Sequence, residues 1–125
     1  MAPRKKFSGR KLGGSDGRQQ ILLYYRYVGN MDRESAHRKL TPFPIGTFLV
    51  RCRINIAEPN YAISLKTCQS DSKHMKILSN LNDDFYLSDN RKFKSIVELV
   101  TYFSRNSLKE SFSGLDTSLR FPIKA

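Results

Sequence analysis

Between Thr47 and Ile54 the chain reads TFLVRCRI, a run rich in β-branched and aromatic residues and free of glycine, proline and asparagine. Such a run makes a strand. Side chains alternate between faces along a strand, so Phe48, Val50 and Cys52 share one face while Leu49, Arg51 and Arg53 share the other. An arginine flanked by core residues cannot stay unpaired, because burying an isolated charge is costly. Arg51 therefore needs an internal carboxylate or an anionic ligand. The next acids along the chain, Glu58 and Asp71, fall in expected turns, which favours the ligand. A planar guanidinium matches a phosphate through two parallel hydrogen bonds.

The flanking segments set this strand in a sheet. YAISLKT (61–67) and KHMKIL (73–78) read as further strands, and DDFYLS as a short fourth, all in an antiparallel meander with turns between. Upstream, Asp32 is suited to cap a short helix with Glu34 in its first turn and Arg38 and Lys39 in its last. Met31 and Ala36 have the spacing of a hydrophobic staple. TPFPIG ends this helix through Pro42, Pro44 and Gly46. Downstream, Ile96, Leu99, Val100 and Phe103 form one apolar stripe, and Ser95 with Glu98 makes an S-x-x-E capping box. From 107 onward a loop ending in a short extended segment is expected. The fold class is α+β: a central antiparallel sheet flanked by two helices.

Charge sorts the chain into two parts. Its net charge is +11. Residues 1–20 carry six lysines and arginines against one acid, Asp16, and are rich in glycine and serine. They read as a disordered basic leader or linker, and residues 21–125 as one domain opening on an apolar approach, ILLYYRYVG. The basic balance points to anionic partners: nucleic acid, acidic lipid or phosphorylated protein. The alternation also places His74 and Lys76 on one face of their strand, where they can join Arg51, with Arg33 of the first helix above them. Met75 faces the other way.

GTFLVR, preceded by YVGNMDRESAHRKL and followed by YAISLKT, KHMKI, FYLS and KFKSIVELVTYF, resembles the Src homology 2 (SH2) domain from about Tyr27 to Lys124. NSLKESFSGLDTSLRFPIK is most similar to the Vav family of Rho-type guanine nucleotide exchange factors. The resemblance implies a non-catalytic module that binds phosphotyrosine in short peptides. It implies that Arg51 grips the phosphate, that Arg33 reaches phosphate and phenol ring, that His74 supports the pocket, and that Lys76 lies beside the ring. Arg53 matches a position often held by serine, and the backbone amides of Ile54 to Asn60 would complete the cradle. A second pocket, reading the third residue after the phosphotyrosine, is implied at Met75, Leu87, Phe103 and Leu108. The chain lacks the tryptophan that the family has near the domain start.

Each residue has a plainer reading as well. Arg53 could face solvent at a strand end, His74 could be a hydrogen-bonded structural histidine, and Phe103 lies on a stripe that fits ordinary core. A phosphatase reading fails because Cys52 faces away from Arg51 and no phosphate loop follows either cysteine. Nor does the sequence carry a Ser-His-Asp set or a glycine-rich nucleotide loop, so no enzyme activity, cofactor or metal is expected. Cys52 and Cys68 lack metal-ligand or disulfide-framework spacing, which fits a reducing cytoplasmic setting. No apolar run reaches membrane-spanning length. The expected partners are tyrosine-phosphorylated receptors or adaptors, met at the plasma membrane by a monomeric domain. The rival reading is nucleic-acid or acidic-lipid binding through the basic leader and basic face. Nucleic acid is disfavoured because basic and acidic residues interleave outside the leader, whereas weak contact with acidic membrane is compatible with it.

Overall fold

A computed structural model of the chain describes residues 27–52 and 60–123. The basic leader, the apolar approach before Tyr27, Arg53 and the segment 54–59 lie outside the described residues. In order, the elements are β1 (Tyr27–Asn30), α1 (Arg33–Leu40), β2 (Thr47–Cys52), β3 (Tyr61–Cys68), β4 (Asp71–Ser79), β5 (Phe85–Ser88), β6 (Arg91–Phe93), α2 (Ile96–Arg105), a 3-10 turn (Leu108–Glu110) and β7 (Phe121–Pro122).

Strands β2 to β5 form the expected antiparallel meander. The sheet extends further than the sequence patterns indicated. β1 and β7 both pair with β2 in parallel, and β6 adds a short outer strand. These pieces have two to four residues, too few for alternation to register.

The register fixes which residues share a face. Arg51 lies opposite Ala62, which lies opposite Lys76. Leu49 lies opposite Ser64, which lies opposite His74. One side of the sheet packs Phe48, Val50, Ile63, Leu65, Met75 and Ile77 against Ile96, Leu99, Val100 and Phe103 of α2. The other side packs Leu49 and Ile123 against Ala36 and Leu40 of α1.

Both helices begin as their sequences dictate. Asp32 caps α1, its carboxylate accepting from the Ser35 amide at 2.8 Å, and Met31 packs beside Ala36. Ser95 caps α2 by accepting from the Glu98 amide at 3.1 Å. The returning arm of the expected capping box is displaced by one residue: Glu98 accepts from the Lys94 amide at 3.0 Å, not from that of Ser95. Gly46 turns the chain into β2 at φ +99°, and both Arg120 and Phe121 donate to its carbonyl. A Cβ there would stand 2.9 Å from the Arg120 side chain, so this turn excludes larger residues.

Candidate functional site

Arg51 rises from the middle of β2 into the layer between sheet and α1, only 5% exposed. Its Nε donates to Ser64 Oγ at 2.9 Å, and its Nη1 donates to the Met31 carbonyl at 3.1 Å. These partners are neutral oxygens from β3 and from the chain just before α1. They fix the plane of the guanidinium.

Ser64 relays the arrangement to β4. Its Oγ lies 2.8 Å from Nδ1 of His74. A guanidinium only donates, so Ser64 accepts from Arg51, and its own proton can bond Nδ1 of His74 when that ring carries its hydrogen on Nε2. The imidazole is held neutral. Burial pushes its pKa down from 6.5 to about 4, helped by the positive fields of Arg51, Arg33 and His37, with Asp71 opposing weakly. Arg33, the exposed first residue of α1, is thus within electrostatic reach of the same pocket. Lys76 stands exposed on β4, in the cross-strand row that starts at Arg51. The structure brings Arg33, Arg51, His74 and Lys76 to one face. Arg53 lies outside the described residues.

Several supporting groups were not singled out in the sequence. Ser64 is one; His37 is another, bridging α1 to β4 by placing Nδ1 2.8 Å from Ser72 Oγ. Lys66 is a third. Only 5% exposed, it donates through Nζ to the carbonyls of Thr41 at 2.6 Å and Phe43 at 2.8 Å. That places a cation at the C-terminal end of α1, where the helix dipole favours one. The available signal was the alternation of β3: Ala62, Ser64 and Lys66 share a face, and a hairpin register of Arg51 on Ala62 turns it toward Arg51.

The four residues expected to line a second pocket, Met75, Leu87, Phe103 and Leu108, meet on the α2 side of the sheet in one core cluster, with no more than 5% exposure each. Apolar side chains that can reach one another bury their area together unless something holds them apart. Cys52 is half-buried and Cys68 exposed, both as free thiols. Among the described residues no group of three His, Cys, Asp or Glu side chains could hold a metal ion, and no helix is long and apolar enough to cross a membrane.

Comparison with known proteins agrees with this geometry. Residues 27–103 match the SH2 domain family. The chain is 44% identical over 113 residues to Protein vav of Drosophila melanogaster, covering 85% of this chain and 14% of that protein. It is 45% identical over 98 residues to the guanine nucleotide exchange factor VAV3 of Homo sapiens, covering 78% of this chain and 11% of that protein. It therefore spans only a small part of the relatives it matches. Among solved structures, the VAV1 SH2 domain complexed with a tyrosine-phosphorylated peptide from SLP76 superposes with a TM-score of 0.74 at 36% identity, over 83% of this chain and 73% of that one. An antiparallel meander between two helices is the fold this chain shares with that structure. The chain belongs to the SH2 domain family of phosphotyrosine-peptide-binding modules, and its relatives are the Vav proteins.

Proposed function

We propose that the α1 side of the sheet holds the phosphotyrosine, with Arg51 as the anchor of the phosphate. The observation that carries this reading is the guanidinium of Arg51, held in place by Ser64 and the Met31 carbonyl, beside a His74 whose pKa is lowered to about 4 by burial first and by Arg51, Arg33 and His37 next. A phosphate brings negative charge and three strong acceptors to that field. Each charge-assisted bond from Arg51 contributes on the order of 1.5–3 kcal/mol. Arg33 closes over the phosphate and ring from α1, Lys76 flanks the ring, Arg53 adds a further cation, and His74 positions Arg51 through Ser64. A neutral phenol offers these cations no negative charge to bind, so phosphorylation is the switch. Met75, Leu87, Phe103 and Leu108 take an apolar side chain further along the peptide.

In this reading the domain serves a Vav-like exchange factor. It docks the factor on tyrosine-phosphorylated receptors or adaptors and draws it from the cytoplasm to the plasma membrane. The peptide partner of the VAV1 SH2 domain, a tyrosine-phosphorylated segment of SLP76, is a suitable probe. Calorimetric titration with that peptide, phosphorylated and unphosphorylated, tests the reading. Micromolar or tighter binding of the phosphorylated form alone is expected, whereas equal binding of both forms, or of neither, overturns it.

A further inference from the structure

Polar bonds tie α1 to the sheet at its entrance, its middle and its exit. Just before the helix, the Met31 carbonyl accepts from Arg51 at 3.1 Å. Just after it, the carbonyls of Thr41 and Phe43 accept from Lys66 at 2.6 and 2.8 Å. In the middle, His37 places Nδ1 2.8 Å from Ser72 Oγ. The ties at the two ends run to β2 and β3, whereas the middle one runs to β4. It forms with either tautomer of the ring, because Nδ1 can accept from the hydroxyl or donate to it.

Helix geometry gives the middle tie its consequence. The buried residues of α1, Ala36 and Leu40, stand four apart and so lie along one line of the helix. Contact along one line holds a helix against a sheet but lets it roll about that line. His37 stands about 100° round the axis from Ala36, and its bond to β4 opposes the roll. Arg33, four residues before His37, is on the same side of α1. The helix runs from Arg51 toward Lys66, and hence from the cross-strand row of Lys76 toward that of Ser72. Four helical residues rise about 6 Å, close to the roughly 6.8 Å between alternate residues of a strand. With His37 over Ser72, Arg33 therefore comes level with His74. Arg33 and His37 both act on the His74 ring electrostatically, each lowering its pKa. Arg33 is exposed, so its aim depends on the helix that carries it.

We propose that His37, through Ser72, is a positioning residue for phosphotyrosine: it sets the roll of α1 and so aims the Arg33 guanidinium at the phosphate. This rests on the phosphotyrosine reading above. Arg51 needs no such help, because Ser64 and the Met31 carbonyl hold it within the sheet. Arg33 approaches the same ligand from a separate element. A grip on one phosphate from both sides requires the helix and the sheet to keep a fixed relation. A donor held in place beforehand loses less freedom on binding, and that saving appears as affinity. His37 acts through the helix and does not have to touch the ligand.

The test is a double-mutant cycle on the full chain, read by calorimetric titration with the tyrosine-phosphorylated SLP76 peptide. Arg33→Ala is expected to weaken binding about tenfold or more, the loss of one charge-assisted bond. His37→Ala and Ser72→Ala, which break the tie from its two ends, are each expected to weaken it about fivefold. In the Arg33→Ala background the same two substitutions should have no further effect. His37→Asn, whose amide can stand where Nδ1 does, should recover most of the loss, whereas His37→Phe keeps a ring without the bond and should not. Urea unfolding of each variant establishes that the titrated protein is folded. The positioning role is overturned if Arg33→Ala has no effect, if neither His37→Ala nor Ser72→Ala loses affinity, or if their losses persist undiminished without Arg33. Failure of the parent chain to bind the phosphopeptide instead overturns the phosphotyrosine reading, and the positioning role falls with it.

Discussion

The two faces of one sheet solve opposite problems. Among the described residues, the sheet toward α2 belongs to a cluster of thirteen buried apolar residues, from Phe48 to Leu119. Toward α1 the buried apolar cluster among them is four residues, Ala36, Leu40, Leu49 and Ile123. The buried polar and charged residues, Thr47, Arg51, Ser64 and Lys66, all alternate onto this second face. An apolar layer gains stability from every methylene it hides. A polar layer does so only when its groups are hydrogen-bonded, and here the bonds run along Arg51, Ser64 and His74 and from Lys66 to the end of α1. The α2 face therefore carries the fold, and the α1 face holds charge ready for a ligand.

A crossed pair of substitutions gives the sharpest separation of the two. Leu99, fully buried on the α2 side, should cost about 3 kcal/mol of folding free energy as Leu99→Ala. The folded fraction should still bind phosphopeptide with parental affinity. Arg51→Lys keeps the charge but loses the fork, and with it the bonds from both Nε and Nη1. Phosphopeptide affinity should drop about a hundredfold or more, from the loss of one to two charge-assisted bonds, while the urea midpoint moves far less than in Leu99→Ala. Equal losses of stability in the two variants would show that the faces are not separable.

How much of this was legible beforehand follows the same division. The α2 face was written in strong periodicities: the stripe Ile96, Leu99, Val100, Phe103 and the alternation of Phe48 and Val50 both hold. The phosphate face was legible only where a charge interrupted such a pattern, as Arg51 does in β2. Ser64 and Lys66 stayed hidden because a serine or lysine in a strand usually faces water, and only the pairing of β3 with β2 turns them inward. The second pocket could be outlined but its assembly could not. Met75, Leu87, Phe103 and Leu108 do converge, but their meeting rests on contacts among β4, β5, α2 and the 3-10 turn, far apart in sequence. No local pattern encodes those contacts.

Acid should strain the polar face before the apolar one. The folded pKa of His74, about 4, lies below its ordinary 6.5, because of burial first and the cations Arg51, Arg33 and His37 next. The unfolded chain therefore binds that proton more readily. Stability is full above about pH 6.5 and declines as pH falls toward about 4, the sign given by linkage for a depressed histidine. The carboxylates Asp32, Asp84 and Glu110 are also shifted down, but their contribution is lost only at lower pH, where carboxyl groups titrate. Urea midpoints measured between about pH 7.5 and 5 should fall for the parent chain and stay nearly level for His74→Asn. Bound phosphopeptide should flatten the parental curve, because its dianion favours the protonated imidazole. A level parental curve without ligand would mean that His74 titrates normally and that the cations do not converge on it.

The smallest expected effect concerns the one flaw in the polar layer. Thr47 is 1% exposed, and its Oγ1 is the sole buried side-chain polar atom among the described residues that has no hydrogen-bond partner. It lies two residues before Leu49 and four before Arg51 on the same face, yet outside the chain of bonds that orders the site. A buried hydroxyl without a partner loses its water and gains nothing in exchange. Thr47→Val keeps the branched shape, suits a strand and replaces that hydroxyl with a methyl group. The expected gain is about 1 kcal/mol in urea unfolding, with phosphopeptide affinity unchanged. If stability falls instead, the hydroxyl is bonded in solution through a buried water, and the polar layer reaches the start of β2. If affinity falls while stability rises, Thr47 helps to hold Arg51 in register, and the division between the two faces is drawn one residue pair too far from the N-terminal end of β2.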